Sequence, residues 1–263
     1  MILAIDGTNW THVLYHAIRS GDPVEKFLGR IDRLRERWPQ LDLVVVGFDL
    51  PPSFRKGLYA EYKATRGPSD RELVELLQNM QAACRDRGDV ITICEPGFEA
   101  DDVLATTARL AVESGRKCVL ASPDKDLAQC LLDGWVTMMK GYRVAGRDLV
   151  LDFVTSDSLF EKFGVRPDQW TDYQCLVGDS GDNIPGVPGI GPKIAAEVLQ
   201  RCGSLDAALA NPWRSGLSDK LRNKLVAFKP NVELTRKLVT LEHSVPLVVD
   251  ALDLEPVQSG GDA

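Results

Sequence analysis

Residues 178–199 read GDSGDNIPGVPGIGPKIAAEVL, and this stretch decides the character of the second half of the 263-residue chain. Two Pro-Gly pairs and a Gly-Ile-Gly sequence lead directly into a helix predicted to begin near Pro192. Glycines allow close backbone approach, and free amides at a helix start offer an anion site. The GxxxxGK[ST] pattern is absent and the glycines follow no strand, which excludes a P-loop and a dinucleotide fingerprint. The stretch therefore predicts a hairpin between helices that holds a DNA phosphate without reading bases, with a plain interhelical turn as the alternative.

Around this hairpin the chain is predicted to be mainly helical from about residue 155 onward. Helical spacing of apolar residues covers the ranges 156–163, 168–178, 192–202, 204–210, 217–227 and 231–241. The tail from Pro256 is small and polar, and it is expected to be disordered. We predict a helical DNA-binding region over 156–255 and a tail over 256–263.

The first half of the chain alternates between short apolar runs and helix-like stretches. The runs at 1–5, 43–48, 90–94 and 117–121 fit strands buried on both faces of a parallel sheet. Helix-like stretches lie at 24–37, 70–87 and 100–114, and residues 135–151 read as a hairpin turning at Ala145-Gly146. Strand and helix alternation predicts an α/β catalytic core over residues 1–155.

Nine carboxylates stand where apolar runs end or helices begin, with no His or Cys among them. They are Asp6, Asp49, Glu99, Asp101, Asp102, Asp124, Asp126, Asp179 and Asp182. So many acids brought together would repel one another unless cations neutralised them. Ligation by oxygen alone is what magnesium and manganese prefer. The pattern predicts a magnesium-dependent phosphodiesterase whose ligands gather outside the carboxyl ends of the strands.

Each acid also has an ordinary structural explanation. Acids in the first turn of a helix cap free N–H groups, which could account for one of Glu99, Asp101 and Asp102 but not for all three. Ser122 or Asp124 could be an N-cap, and Asp126 is not needed for capping. A lone Asp6 or Asp49 could be a turn residue, and a plain loop could account for Asp179 and Asp182.

The bulk composition is that of an ordinary globular protein. The net charge of −7 argues against a nucleic-acid partner, but only weakly. The nine grouped acids alone carry more negative charge than the whole chain does in sum. The six cysteines are scattered without a CxxC pair, which favours buried reduced thiols over disulfides. No run approaches the roughly 20 apolar residues of a membrane span, and no signal peptide is visible. We therefore expect a cytoplasmic protein.

Residues 54–66, FRKGLYAEYKATR, alternate basic and aromatic side chains directly after Asp49. Four basic residues are interleaved with Phe54, Tyr59 and Tyr62; they are Arg55, Lys56, Lys63 and Arg66. Such alternation suits phosphate contacts and stacking on an unpaired base. A solvated amphipathic helix is the alternative.

Taken together, these segments resemble the 5′ nuclease family. This family includes the 5′→3′ exonuclease domain of bacterial DNA polymerase I, the phage 5′ nucleases and the flap endonucleases. The matching stretches run from residue 1 to about 250 and are AIDG, FD, LYAEYKATR, GFEADD, SPDKD, GDSGDNIPGVPGIGPKIAAEVL and LVTLEHSVPL. The resemblance implies a PIN-like core with a parallel or mixed sheet and helices on both faces. It also implies a helix-three-turn-helix DNA-binding module and a helical arch.

The resemblance also implies roles for individual residues. A first metal ion would be surrounded by Asp6, Asp49, Glu99, Asp101 and Asp102, and a second by Asp124, Asp126, Asp179 and Asp182. These ions would be Mg²⁺ or Mn²⁺. Lys63 and Arg66 would contact the scissile phosphate, Tyr62 would stack on the terminal base, and Arg55 and Lys56 would contact DNA. Duplex backbone would be held by the hairpin and the helix after it, through Gly186, Gly189, Gly191 and Lys193, in some relatives with a bound K⁺.

The function implied is structure-specific 5′→3′ exonuclease and 5′-flap endonuclease activity by a two-metal mechanism. The partner would be DNA with a free 5′ end or flap beside duplex, bound by a monomer. Two alternatives remain open from the residues. One is a DNA-structure-binding protein with vestigial metal sites, and the other is a PIN-type ribonuclease.

Overall fold

The computed structural model describes residues 1–17, 20–67, 70–145 and 148–252. Its strands are β1 (Ile2–Asp6), β2 (Leu43–Gly47), β3 (Ile91–Ile93), β4 (Cys118–Ala121), β5 (Val136–Ala145), β6 (Asp148–Val154), β7 (Gly178–Asp179) and β8 (Ile184–Pro185). Its helices are α1 (Gly7–Ala17), α2 (Pro23–Arg37), α3 (Phe54–Leu58), α4 (Arg71–Asp86), α5 (Ala100–Glu113), α6 (Ser156–Phe163), α7 (Trp170–Val177), α8 (Pro192–Cys202), α9 (Leu205–Ala210), α10 (Asp219–Phe228), α11 (Val232–Val239) and α12 (Pro246–Leu252).

The chain divides into two compact units. The first, which we call the sheet unit, comprises Met1–Ser53, Pro68–Val154 and Glu242–Ala263. The second, which we call the helical unit, comprises Phe54–Gly67 and Thr155–Leu241.

The sheet unit is built on a six-stranded sheet with the order β3-β2-β1-β4-β5-β6. All neighbouring strands are parallel except β6, which returns antiparallel to β5. Ile2 pairs with Leu43 of β2 on one side and with Cys118 of β4 on the other. The carboxyl ends of β1, β2 and β4 therefore meet at one edge, where the strand order reverses. The predicted α/β class is confirmed.

Both faces of this sheet carry helices because its central strands are apolar along their whole length. Ile2, Leu3, Ala4 and Ile5 are fully buried, and alternate side chains of a strand point to opposite faces. One face packs in a single cluster with α1, α2 and α4, through residues such as Leu14, Phe27 and Met80. Helix α5 packs on β1, β2 and β4, and α12 packs on α5. Each fully buried aliphatic side chain contributes roughly 1.5–3 kcal/mol, so this core dominates the stability of the unit.

Two helices of the sheet unit were not predicted from the sequence. Helix α1 contains glycine, threonine and asparagine in its first turn, which are weak helix formers. It forms because Trp10 and Leu14 are buried in the core. Helix α12 is short, and hydrogen bonds join the loop before it to α5. The Thr106 hydroxyl donates to the Glu242 carbonyl, and the Val245 N–H donates to the Thr106 hydroxyl. Tertiary contacts, and not intrinsic helix propensity, therefore account for the formation of both helices.

The predicted hairpin over 135–151 is present as β5 and β6 but extends further, to Val154. The register of β5 against β6 shifts between Met139 and Gly141. The sequence pattern of the two strands does not reveal this irregularity. The predicted turn at Ala145-Gly146 lies in part outside the described residues, because residues 146–147 are not among them.

The helical unit follows the predicted pattern closely from α6 to α11. Short 3-10 helices that were not predicted occur at Pro167–Gln169, Pro212–Ser215 and Lys229–Asn231. Strands β7 and β8 form a separate antiparallel pair that closes the predicted hairpin, with Gly178 opposite Pro185 and Asp179 opposite Ile184. Residues 54–66 are helical only over α3, and turns follow to residue 65, so the long amphipathic helix considered as an alternative does not form.

The unit boundaries differ from the predicted domains in two places. The division after Val154 lies next to the predicted one, but residues 54–67 belong to the helical unit. They do so because Arg55 is buried there and donates to the Leu238 and Thr240 carbonyls. Among the described residues, 242–252 belong to the sheet unit. The predicted tail over 256–263 lies outside the described residues.

All six cysteines are free, as predicted, and four of them are buried. Within the described ranges, no helix is both long enough and apolar enough to cross a membrane.

Candidate metal centre and anion-binding segments

Five of the nine predicted acids lie together in the sheet unit, beyond the carboxyl ends of β1, β2 and β4 and in the first turn of α5. They are Asp6, Asp49, Asp101, Asp124 and Asp126, and we call them the acid cluster. Asp6 ends β1, while Asp49 follows β2 by two residues. Asp124 and Asp126 follow β4. The parallel sheet gathers these side chains because neighbouring parallel strands all end at the same edge.

Asp6 is almost completely buried, with 5% of its surface exposed. Its two oxygens accept hydrogen bonds from the Asn9 N–H at 2.8 Å and from the Ser122 hydroxyl at 2.9 Å. Burial, followed by the negative charge of Asp49, raises the pKa of Asp6 to about 7 despite these donors. The charge of Asp124 raises the pKa further. A carboxyl group in this position releases its proton readily only when positive charge is brought near.

Asp101 occupies the most unfavourable position in the acid cluster. Its Oδ1 atom is buried and has no hydrogen-bond partner. Burial raises the pKa of Asp101 well above its usual range, and the charges of Asp124, Asp6, Asp49 and Asp126 raise it further. A buried carboxylate oxygen that faces only other carboxylates is costly to maintain unless a cation binds it.

The other acids of the cluster are oriented by local hydrogen bonds. Asp49 accepts from the Ala100 N–H at 2.7 Å and donates its own N–H to the Thr8 hydroxyl at 2.8 Å. Asp124 caps the 3-10 helix Lys125–Cys130 by accepting from the Asp126 N–H at 2.9 Å. The capping alternative for Asp124 is therefore present, but it uses one of the two carboxylate oxygens and leaves the charge in place.

Asp102 differs from its neighbours because a backbone amide binds each of its oxygens, and its metal ligation stays a prediction. The side chain is fully buried. One oxygen accepts from the Glu99 N–H at 3.0 Å and the other from the Glu242 N–H at 2.8 Å. The bond from the Glu99 N–H is the capping interaction that the alternative implied, whereas the bond from the Glu242 N–H is a tertiary contact. Glu99 is the N-cap of α5 and half-buried, and its metal ligation stays a prediction.

The donor set of the acid cluster fits a hard divalent cation. It consists of carboxylate oxygens, and it includes the unpartnered Oδ1 of Asp101. Among the residues that the structure describes, no three acidic, cysteine or histidine side chains are arranged to hold one ion as they stand.

Asp179 and Asp182 lie in the helical unit, where Asp179 ends β7 and Asp182 lies in the loop between β7 and β8. Asp179 accepts from the Gly181 N–H at 2.8 Å and from the Asp182 N–H at 3.2 Å, which stabilises the loop. The carboxylate of Asp182 binds Arg66 at 2.5 Å and lies 3.8 Å from the Lys63 amine. Their predicted metal ligation stays a prediction, and the environment of Asp182 is that of an ion-paired carboxylate.

Two of the residues predicted to contact DNA are buried in the helical unit. Arg55 is 1% exposed, and its Nε and Nη2 atoms each donate at 3.0 Å to the carbonyls of Leu238 and Thr240. Tyr62 is 3% exposed, and its hydroxyl donates to Asp182 at 3.1 Å. Neither side chain is accessible in this arrangement, and the DNA contact of Arg55 and the stacking of Tyr62 on a base stay predictions.

The remaining basic residues of the segment are more accessible. Lys56 is exposed and donates to the Tyr62 carbonyl at 3.0 Å. The side chain of Arg66 is 56% exposed and that of Lys63 is 24% exposed. A phosphate contact by these three residues is compatible with their exposure and stays a prediction.

The predicted hairpin has the backbone geometry that its glycines indicate. A Cβ atom on Gly186 would lie 2.3 Å from the Val177 carbonyl carbon and 2.4 Å from the Gly178 nitrogen, so no side chain fits there. Gly189 has a φ of 89°, which favours glycine. Gly191 caps α8 without a side-chain hydrogen bond, and Lys193 is exposed in the first helical turn. The helix start therefore presents backbone amides, as an anion site requires.

The sequence analysis named Ser122 only as a possible N-cap and did not identify two other residues that lie at these sites. Ser122 donates to Asp6 and accepts from the Asp124 N–H at 3.1 Å, so it joins two acids of the cluster. Asn9 has a buried Oδ1 without a hydrogen-bond partner. The Lys224 amine lies 3.4 Å from the position of a Cβ on Gly189. Ser122 stands in the SPDKD motif and could have been found there, but nothing local marks the other two.

Models of two protein families match nearly the whole chain. The first, described as 5′-3′ exonuclease, N-terminal resolvase-like domain, matches residues 1–164. The second, described as 5′-3′ exonuclease, C-terminal SAM fold, matches residues 165–260.

Similar curated proteins are bacterial DNA polymerases I. The thermostable enzyme of Thermus aquaticus is 36% identical over 260 residues, which cover 95% of this chain and 29% of that protein. The enzyme of Pseudomonas aeruginosa is 34% identical over 274 residues, covering 97% and 28%. The chain thus spans less than a third of the length of these relatives.

Among solved structures, a T5 5′-exonuclease with bound zinc has a TM-score of 0.77 at 23% identity, covering 96% of this chain and 93% of that one. This likeness supports the same fold, with a mixed sheet core and a helical region.

Proposed function

The chain belongs to the 5′-3′ exonuclease family, and on that premise we propose that it hydrolyses DNA phosphodiesters near a 5′ end. Both exonucleolytic removal of 5′ nucleotides and endonucleolytic release of 5′ flaps are included in the proposal. The T5 enzymes of the same fold support it, since one of them, a flap endonuclease, is described in complex with DNA and metal ions.

The observation that carries this proposal is the environment of Asp101. Its buried oxygen has no hydrogen-bond partner, and it faces the charges of four other acids. Local hydrogen bonding accounts for Asp102 but not for this arrangement. A site that concentrates unpaired negative charge and holds only oxygen donors suits divalent cations such as Mg²⁺ or Mn²⁺.

We propose that the acid cluster and Glu99 hold the metal ions, with Asp102, Asp179 and Asp182 as further ligands. Bound divalent ions would make a water molecule more acidic and offset charge on the attacking and leaving oxygens. The Ser122 and Asn9 hydrogen bonds orient the Asp6 oxygens in advance, which lowers the reorganisation needed for ligation. Asp102 also fixes the first turn of α5, from which Asp101 projects, through its bond to the Glu99 N–H.

The basic residues of the helical unit supply the remaining charge in this proposal. Lys63 and Arg66 would offset charge that develops on a phosphate. Lys56 and Lys193 would contact further phosphates, and the amides of the hairpin at Gly186, Gly189 and Gly191 would hold duplex backbone with or without a K⁺ ion. Phosphate contacts carry no base sequence, so substrate choice would follow the structure of the DNA, a 5′ end beside duplex.

The experiment that tests this function uses a 5′-flap DNA labelled at its 5′ end, incubated with Mg²⁺ or with EDTA. We expect short labelled 5′ products with Mg²⁺ and intact substrate with EDTA. Tight binding without cleavage at every Mg²⁺ concentration would contradict the proposal and favour a DNA-structure-binding protein. Cleavage confined to single-stranded RNA would favour a PIN-type ribonuclease.

A further inference from the structure

Trp213 is the most exposed large apolar side chain in the part of the protein that the structure describes, with 74% of its surface accessible. It lies in the 3-10 helix Pro212–Ser215 of the helical unit. An indole buries a large apolar area when it packs, so leaving it in water forgoes that stabilisation. Single exposed apolar residues are common on protein surfaces, and the surroundings of Trp213 therefore decide whether it forms a site.

A buried arginine holds the indole in place. The guanidinium carbon of Arg222 lies 3.5 Å from the centre of the Trp213 ring, which is direct stacking. Arg222 is itself buried, and its Nη1 and Nη2 atoms donate to the Leu217 carbonyl and the Asp219 carboxylate. One face of the indole is thus fixed against a cation that its own hydrogen bonds hold, while the opposite face is accessible. We call this accessible face the indole platform.

Basic side chains lie beside the indole platform. Arg214 is exposed and follows Trp213 directly. The guanidinium of Arg201 packs on Gly216, where an added Cβ would lie 2.8 Å from its central carbon. Residues 201–224 carry five basic and two acidic side chains, although the net charge of the whole chain is −7. A locally positive surface with an accessible aromatic face favours a nucleic acid as the occupant.

Helix α10 connects the indole platform to the hairpin that presents backbone amides. A Cβ on Gly189 would lie 3.2 Å from Leu221 Cδ2 and 3.4 Å from the Lys224 amine, and the residue after Leu221 is Arg222, which supports Trp213. Because consecutive Cα atoms are about 3.8 Å apart, the hairpin and the platform lie within about 20 Å of each other. That distance corresponds to about six nucleotides at roughly 3.4 Å each.

We propose that the indole platform binds an unpaired base of single-stranded DNA that continues from the duplex held at the hairpin. The inference rests on the proposed function, in which the hairpin amides hold duplex backbone. Paired bases stack on one another and present only their edges in the grooves, so an aromatic face suits a base outside the duplex. Because the indole is already fixed, binding does not have to order it. The protein should therefore prefer a duplex with an unpaired extension over the same duplex with a blunt end.

Equilibrium binding in EDTA tests this inference without cleavage. Three labelled probes share one duplex and differ at one end, which is blunt or carries a 3′ or a 5′ oligothymidine overhang. We expect Trp213→Ala to weaken binding to at least one overhang probe about 5- to 100-fold, the loss expected for one stacked base. Affinity for the blunt duplex should change less than about twofold, because no paired base reaches the platform. Fluorescence anisotropy measures these affinities.

Further variants separate stacking from folding and from charge. Trp213→Tyr keeps an aromatic face and should bind the overhang within about threefold of the original protein. Trp213→Leu still covers Arg222 but offers no aromatic face, so it should lose overhang affinity as Trp213→Ala does. Trp135→Ala is the matched control, since Trp135 is 41% exposed but lies in the sheet unit, and it should change neither affinity. Arg214→Gln should lower the salt dependence of binding, which Trp213→Ala should leave unchanged.

The inference is overturned if the original protein binds neither overhang probe more tightly than the blunt duplex. Unchanged overhang affinity in Trp213→Ala and Trp213→Leu would also overturn it, and would favour a protein partner as the occupant. Equal losses on the blunt and overhang probes would contradict it as well, because the platform would then contact the duplex itself. A protein that binds the probes but does not cleave flaps with Mg²⁺ contradicts the proposed function, while the ratio of the affinities still decides the role of Trp213.

Discussion

Asp101→Asn should abolish flap cleavage and at the same time stabilise the folded protein. Removing one ligand of the proposed metal centre is expected to lower kcat by on the order of 10³-fold, because several kcal/mol of charge stabilisation are lost in the transition state. The free energy of unfolding in EDTA should rise, because no bound cation then offsets the repulsion among the acids. The raised pKa of Asp101 means that the folded protein disfavours its charged form, so a neutral amide relieves repulsion at neutral pH. Single-turnover cleavage and thermal unfolding measure the two effects.

The opposite signs of these effects separate a metal site from a structural one. Asp86→Asn changes the same charge on the exposed last turn of α4, and it should leave both cleavage and unfolding near their original values. If Asp101→Asn destabilised the protein in EDTA, its carboxylate would be structural. If cleavage survived within about tenfold, less than the loss expected for a ligand, Asp101 would have no place in the reaction.

Gly186→Ala should cause the largest loss of stability among single substitutions in the hairpin. The added Cβ would lie 2.3 Å from the Val177 carbonyl carbon and 2.4 Å from the Gly178 nitrogen. Both neighbours are backbone, so the pairing of β7 with β8 must open to make room. We expect the free energy of unfolding to fall by about 3 kcal/mol or more, measured by urea denaturation. Affinity for duplex DNA should fall with it, because the hairpin is displaced.

Gly191→Ala is the matched control for stability. A Cβ at Gly191 meets nothing within 4 Å, and its φ of −92° suits any residue. The free energy of unfolding should therefore change by less than about 0.5 kcal/mol. Equal stabilities for the two variants would show that close backbone approach at Gly186 is not what the glycine provides.

The acid cluster could be predicted from the sequence because its geometry follows from a short-range signal. Asp6 and Asp49 stand at the ends of apolar runs in the sequence, and parallel strands bring their carboxyl ends to one edge. Nothing beyond strand order was needed to expect Asp124 and Asp126 at the same edge. The hairpin was equally predictable, since Pro-Gly pairs and glycines constrain the backbone locally.

Three predicted site residues have hydrogen-bond partners that are distant in the chain, which the sequence did not reveal. Arg55 reads as an exposed cation in a basic segment, but it binds carbonyls more than 180 residues away. Tyr62 is buried through its bond to Asp182, at a separation of 120 residues. Asp102 reads like Asp101, yet one of its oxygens accepts from Glu242. Local spacing does not encode such partners, so exposure and role could not be predicted for these side chains.

Helices α1 and α12 illustrate the same limit at the level of secondary structure. Their residues have little intrinsic helix preference or too short a pattern to be recognised. Burial of Trp10 and Leu14 on the sheet, and the packing of α12 on α5, determine them instead.

The central claim is that the acid cluster binds the divalent ions of a nuclease, and anomalous X-ray diffraction from crystals soaked in Mn²⁺ tests it most directly. Mn²⁺ replaces Mg²⁺ at oxygen sites, and its anomalous signal locates the ion without reference to activity. The account predicts a peak in contact with Asp101 Oδ1 and at least one other acid of the cluster. Full occupancy by Mn²⁺ elsewhere on the protein, with no peak at Asp101 even at saturating concentration, would contradict it.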